Sequence, residues 1–175
     1  MSLTLLALTF ALSAVAQEPA PRNDACALPA ALRGALQSRF GSSRVLTAAD
    51  LYEDERTLFR ADHPGACPGL RTGRYFSRQE RPSTAIILMG VGPKKEVRLI
   101  VARPAMAGWT FHEVEVMDEG STAVVWREGP GTYKDPYADK TKKTANDVVV
   151  LTGYESWQRV YIWNGRAFEF LQTSD

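Results

Sequence analysis

The stretch TAIILMGVGPKKEVRLIVARPAMAGWTFHEVEVM, residues 84–117, decides the fold class. It opens on an unbroken apolar run, residues 84–91, of the length and content of a strand buried on both faces. Gly-Pro-Lys-Lys marks a turn. Residues 97–104 then alternate, with Val97, Leu99 and Val101 on one side and Arg98, Ile100 and Ala102 on the other. Residues 109–117 alternate again and set Thr110, His112, Val114 and Val116 against Phe111, Glu113, Glu115 and Met117. Successive runs of strand length with turn residues between them read as an antiparallel sheet.

Working outward, residues 121–128 and 147–154 repeat the strand pattern, and VYIWNGRAFEFLQTSD, residues 160–175, closes the chain as a hairpin. Asn-Gly between alternating runs signals a two-residue turn, because both of its positions need positive φ. That turn sets Trp163 opposite Arg166, Tyr161 opposite Phe168 and Arg159 opposite Phe170. On the amino-terminal side, Leu28, Leu32, Leu36 and Phe40 recur every fourth residue and predict an amphipathic helix over residues 29–40. Pro29 suits its first turn and Gly41 its stop. Asp50 and Glu53 have the spacing of a capping box and place a short helix in residues 50–60. The expected fold class is α+β: a mainly antiparallel β-sheet of about six strands with one N-terminal amphipathic helix, in a single domain over residues 26–175.

The first sixteen residues carry no charge, run apolar from Leu3 to Leu12 and end Ala14-Val15-Ala16. They read as a secretory signal peptide, residues 1–16, followed by a flexible leader, residues 17–25. The apolar run is shorter than the ~20 residues a membrane span needs, so no integral span is expected after cleavage. No Lys or Arg precedes the run, which leaves an upstream start open. Localisation is then periplasmic or secreted. In such a compartment Cys26 and Cys67 pair by default. The mature chain keeps 21 basic against 20 acidic side chains, so nothing in its bulk charge draws it to nucleic acid or an anionic membrane.

Few catalytic constellations are spelled out. His63 and His112 have no His or Cys partner at ligand spacing, so no metal or cofactor is expected. No Gly-x-Ser-x-Gly elbow is present. The charged segment 129–147 reads as a long interaction loop bearing Tyr133, Lys134, Tyr137 and Lys140. The closing hairpin offers Arg159, Trp163 and Arg166, either as an aromatic platform for a ligand or as core with arginine stems along the rings.

Residues 67–89, CPGLRTGRYFSRQERPSTAIILM, resemble a degenerate FG-GAP or VCBS repeat unit, with Gly73 and the apolar run from Ala85 to Leu88 in place. Arg74, Ser77 and Ser83 stand where that family's calcium-binding aspartates would be, so the resemblance implies no calcium site here. The tail, with Trp163-Asn-Gly, Phe168 and Thr173-Ser174-Asp175, is similar to small exported bacterial proteins that imply no particular activity. The leading expectation is a non-catalytic binding or inhibitor-type module of the cell envelope, with an envelope or secreted protein as partner. The alternatives are a hydrolase using His112 with Glu113 or Glu115, and a structural envelope component.

Overall fold

The structure, a computed structural model, describes residues 25–91, 96–118, 122–154 and 156–174. The expected signal peptide, all of the leader but Ala25, and the turn at 92–95 lie outside the described residues. So do residues 119–121.

The first helix, α1 (Ala30–Phe40), begins just after Pro29 and stops at Gly41, whose φ of 63° suits a residue without Cβ. β1 (Arg44–Val45) and a 3₁₀ turn (Ala48–Asp50) lead to α2 (Glu53–Asp62). β2 (Leu70–Gly73), β3 (Ser83–Met89), β4 (Val97–Ala105) and β5 (Gly108–Met117) follow. All their pairings are antiparallel, in the order β1-β3-β4-β5, with β2 continuing the edge beside β1 on β3. A second antiparallel sheet runs β11 (Phe168–Ser174), β10 (Trp157–Trp163), β9 (Val148–Gly153) and β6 (Val124–Glu128). β7 (Gly131–Asp135) and β8 (Lys140–Thr144) form a separate hairpin.

The α+β class stands, but among the described residues eleven strands replace the expected six or so, in two sheets and a hairpin rather than one sheet. The largest miss is the 129–147 loop. Its inward residues are Tyr133, Asp135 and Lys142 rather than aliphatics, so the period-2 apolar signal that marks a strand is missing.

The molecule is built in four layers. Ala85, Ile87, Leu99 and Val101 of the first sheet meet Val125, Val149, Leu151 and Tyr161 of the second in the main core. Leu32 and Leu36 of α1, with Leu28 just ahead of the helix, cover Ile86, Leu88, Ile100 and Ala102 on the first sheet's outer face. Tyr133 of β7 packs on Val148, Val150, Val160, Ile162 and Leu171, the outer face of the second. The full burial of 84–88 follows, because β3 has helix on one side and sheet on the other.

Two local expectations are corrected. Leu99 pairs with Glu115 and Ile100 with Glu113, so Val114 is an extra residue in β5. Beyond this bulge the alternation flips: Glu115 joins the face of His112 and Leu99, toward the second sheet, while Glu113 stays on the helix side with Ile100. The closing hairpin is also wider than a two-residue turn. Trp163 pairs with Phe168, Tyr161 with Phe170 and Arg159 with Gln172, leaving residues 164–167 as the connection. Gly165 has φ 100°, but Asn164 does not take positive φ. The Asn164 Oδ1 instead accepts the Arg166 and Ala167 amides at 2.8 and 2.9 Å, and this side-chain cap holds the wider loop.

Cys26 and Cys67 are joined by a disulfide with Cα atoms 5.0 Å apart. It ties the chain ahead of α1 to the loop ahead of β2, as the cysteine count implies. Both sulfurs lie beside the Leu46 carbonyl oxygen, at 3.9 and 3.6 Å. No helix among the described residues is long and apolar enough to cross a membrane.

Asp50 does not cap α2. It closes the 3₁₀ turn, accepting the Thr47 amide and hydroxyl at 2.8 and 2.9 Å and both Arg44 guanidinium nitrogens. Those bonds, the Arg44 one first, bring its pKa from 3.8 to about 2. A carboxylate held below its unfolded value stabilises the fold above that value and loses the contribution as pH falls. Asp50→Asn is therefore expected to flatten the acid limb of Tm against pH between 3.8 and about 2 relative to the wild type. Parallel acid limbs in the two proteins would remove Asp50 as a source of acid sensitivity.

Candidate functional site

The surface expected from the sequence divides into two places. Tyr133, Lys134, Tyr137 and Lys140 belong to the β7–β8 hairpin, outside the second sheet. Arg159 and Trp163 lie on the inner face of β10, toward the first sheet. Arg166 is exposed in the 164–167 loop.

The hairpin has a docked side and a free side. Asp135, 5% exposed, accepts the Tyr137 and Ala138 amides with Oδ1 and the Gln172 amide of β11 with Oδ2. These backbone donors, Ala138 first, hold its carboxyl below the usual range. The Tyr133 hydroxyl donates to the Gly129 carbonyl, and burial pushes its pKa up to about 12. Lys142 pairs with Glu169, which also accepts from the Asn164 side chain, so the 164–167 loop adjoins the hairpin. On the free side Thr132 faces Lys143 and Lys134 faces Thr141, all exposed. Tyr137 is exposed in the turn at the tip, and Lys140, also exposed, pairs with Asp135 and so shares its docked face, where its charge acts on Asp135 and Glu169. Lys134 and Lys143 form no ion pair among the described residues.

Arg159 and Trp163 instead stitch the sandwich. β6 is bound to the loop before β2 through the Val125 amide and Pro68 carbonyl, 2.8 Å apart. On the opposite side β5 and β11 each end a sheet without pairing with each other. Side chains bridge that side. Arg159 pairs with Glu115 of β5, donates to Gln172 at 3.1 Å, and lies 5.0 Å from the Trp157 ring centre and 5.4 Å from that of Phe170. Burial pushes Glu115 up while Arg159 opposes the shift. Farther along, Trp163 touches the rings of Phe76, His112 and Phe168 at centroid distances of 4.8, 5.1 and 5.2 Å. Arg103 sits 4.8 Å over Phe76 and is held by Glu80 at 2.7 Å. Phe76 and Arg103 are distant in sequence from the hairpin, and no local pattern announces that they meet it.

This arrangement answers the question posed by His112. Its ring is packed in the aromatic cluster, and burial, then Arg103, pushes its pKa down. Glu113 lies on the other face of β5 and pairs with Arg98, and Glu115 is engaged by Arg159. Among the described residues no hydrogen bond joins His112 to a carboxylate, and no group of three or more His, Cys, Asp or Glu is placed to hold a metal ion. Compared with protein-family models, with curated proteins and with solved structures, the chain matches none.

Proposed function

We propose that the protein is a non-catalytic binding module of the cell envelope, exported by a signal peptide at residues 1–16, that engages a partner protein through the free side of the β7–β8 hairpin. One observation carries the reading: Asp135, Tyr133 and Lys142 fix the hairpin to the second sheet, while Lys134, Lys143 and Tyr137 are displayed to solvent, the two lysines without ion-pair partners among the described residues, and Lys140 is exposed at the tip. A rigid strand pair presenting lysines around a tyrosine suits an acidic protein surface, where charges of this kind set encounter rate and specificity. Arg166 is exposed on the adjoining loop. The disulfide fits an oxidising compartment.

The test is capture of partners from envelope and secreted fractions by the wild-type protein, then affinity measurement with a Lys134→Glu, Lys143→Glu variant. Binding to the captured partner is expected to weaken at least about tenfold at low salt, with Tm unchanged because these side chains touch no core. Equal affinity would remove the hairpin as the binding surface, and a wild-type protein that captures nothing would remove the binding role itself.

A further inference from the structure

Between α1 and β1, on the outer face of the first sheet, runs a groove of about 580 Å³, a size that suits a small molecule. Leu28, Leu36 and Leu88, all buried, make its floor. Val45 is half-buried in its wall, and so is Cys26 of the disulfide. The helix packs its leucines on the sheet but β1 is only two residues long, so the edge of that apolar layer is left open here.

The rim is cationic. Two arginines line the groove, and no Asp or Glu does. Arg44 is already neutralised, because both of its guanidinium nitrogens reach Asp50, at 2.6 and 2.5 Å. Arg33 of α1 is exposed and forms no ion pair among the described residues. Its Nη2 donates to the Leu28 carbonyl at 3.1 Å, which holds the guanidinium beside the floor. Its other N–H groups make no hydrogen bond among the described residues. A second donor lies on the strand side. The Leu46 amide donates to Ile87 of β3 at 3.0 Å, and amide directions alternate along a strand, so the Val45 N–H and carbonyl turn to the open edge. Arg44 Nη1 reaches that carbonyl at 3.4 Å.

We infer that this groove binds a small carboxylate with an aliphatic tail, the tail laid on the leucines and the carboxylate held by Arg33. The lining selects that class. A cationic ligand finds no carboxylate in the wall, and a neutral hydrocarbon leaves Arg33 unused. A short anion gains only an exposed ion pair, which is worth little by itself. An anion with a tail adds apolar burial to a charge-assisted hydrogen bond. The groove lies outside the first sheet and the β7–β8 hairpin outside the second, so this site stands whether or not a protein binds the hairpin.

Butanoate, hexanoate and octanoate, with octanol as the uncharged tail, are titrated into wild type, Arg33→Gln, Gln37→Trp and Arg39→Gln, and backbone amide resonances are followed. The wild type is expected to bind octanoate saturably, with the Ser43 and Val45 resonances moving. Affinity should rise about two- to fourfold for each methylene added. Arg33→Gln should bind octanoate about fivefold more weakly or worse and octanol as the wild type does. Gln37, exposed at the rim, becomes a plug as Gln37→Trp, and binding should be lost. Arg39→Gln removes the same charge from the same helix outside the groove and should change nothing. All three side chains are exposed, so the variants keep the fold. No saturable octanoate binding by the wild type overturns the site, and so does full binding by Gln37→Trp. Equal affinity for the three chain lengths reduces it to an anion resting on a surface arginine, and equal affinity of wild type and Arg33→Gln removes the carboxylate recognition; either result overturns the inference. Binding by a chain begun at Ala25 but not by one begun at Gln17 would make the leader the occupant and overturn it too.

Discussion

Gly69→Ala is expected to destabilise the fold by about 3 kcal/mol or more. A Cβ at this position would stand 2.4 Å from the Leu46 carbonyl oxygen, and that oxygen is main chain, so no side-chain rotation relieves the clash. The backbone is pinned on both sides. The Leu46 amide donates to Ile87 at 3.0 Å, and the Ile87 amide donates to Gly69 at 2.9 Å. Gly34→Ala is the control: it lies in α1 with nothing within 4 Å of the added carbon, and it should stabilise by about 0.5–1 kcal/mol through helix propensity alone. Urea unfolding of the three proteins measures both effects, and a Gly69→Ala loss below about 1 kcal/mol would show that the close approach at Leu46 is not a constraint.

Removing the disulfide, as Cys26→Ala with Cys67→Ala, is expected to cost about 4 kcal/mol by the loop-closure estimate for cysteines 41 residues apart. The measurement is again urea unfolding, oxidised wild type against the double variant; a difference under about 1 kcal/mol would mean that the reduced chain already holds this loop in place. The two sites are coupled. Cys67 and Gly69 belong to one loop, and both sulfurs and the Gly69 position press on the same Leu46 carbonyl. Without the bridge that loop is freer to back away. Gly69→Ala in the disulfide-free background is therefore expected to cost less than in the wild type, the non-additivity of groups in contact.

How much of this was legible in the sequence depends on what each residue's partner is. The leucines at 28, 32 and 36 announce α1 because their spacing is a property of one helix. The run at 84–88 announces a strand covered on both faces because every residue in it is apolar. Cys26 and Cys67 announce their bond by count, as the two cysteines of a chain expected to be exported. Val114 gives no such sign: whether a residue is paired or bulged depends on the register of β4 against β5, and that decides which way Glu115 points. Asn164-Gly165 marks the place of the last turn correctly but not its width, because a side-chain cap competes with the tight turn.

The candidate surface shows the same division. Lys134, Tyr137 and Lys140 lie together in a charged segment that the sequence makes plain; that the segment is a docked hairpin rests on Asp135 reaching β11 and Tyr133 reaching the second sheet. Arg159 and Trp163 stand out by their aromatic setting, and the fold turns them inward to join the two sheets.

The sequence by itself determined the secondary elements with strong apolar periodicity, the α+β class, the cysteine pair and the place of the closing hairpin, because each of these depends on neighbours a few residues away or on composition. Only the tertiary structure decided that the strands divide into two sheets, that the polar segment at 131–144 becomes a hairpin cover, and which side of each strand meets solvent. The physical reason is register: side chains alternate with period two, so a single bulge or a wider turn reverses every face beyond it, and the packing of two sheets, not local preference, selects which arrangement buries its apolar side.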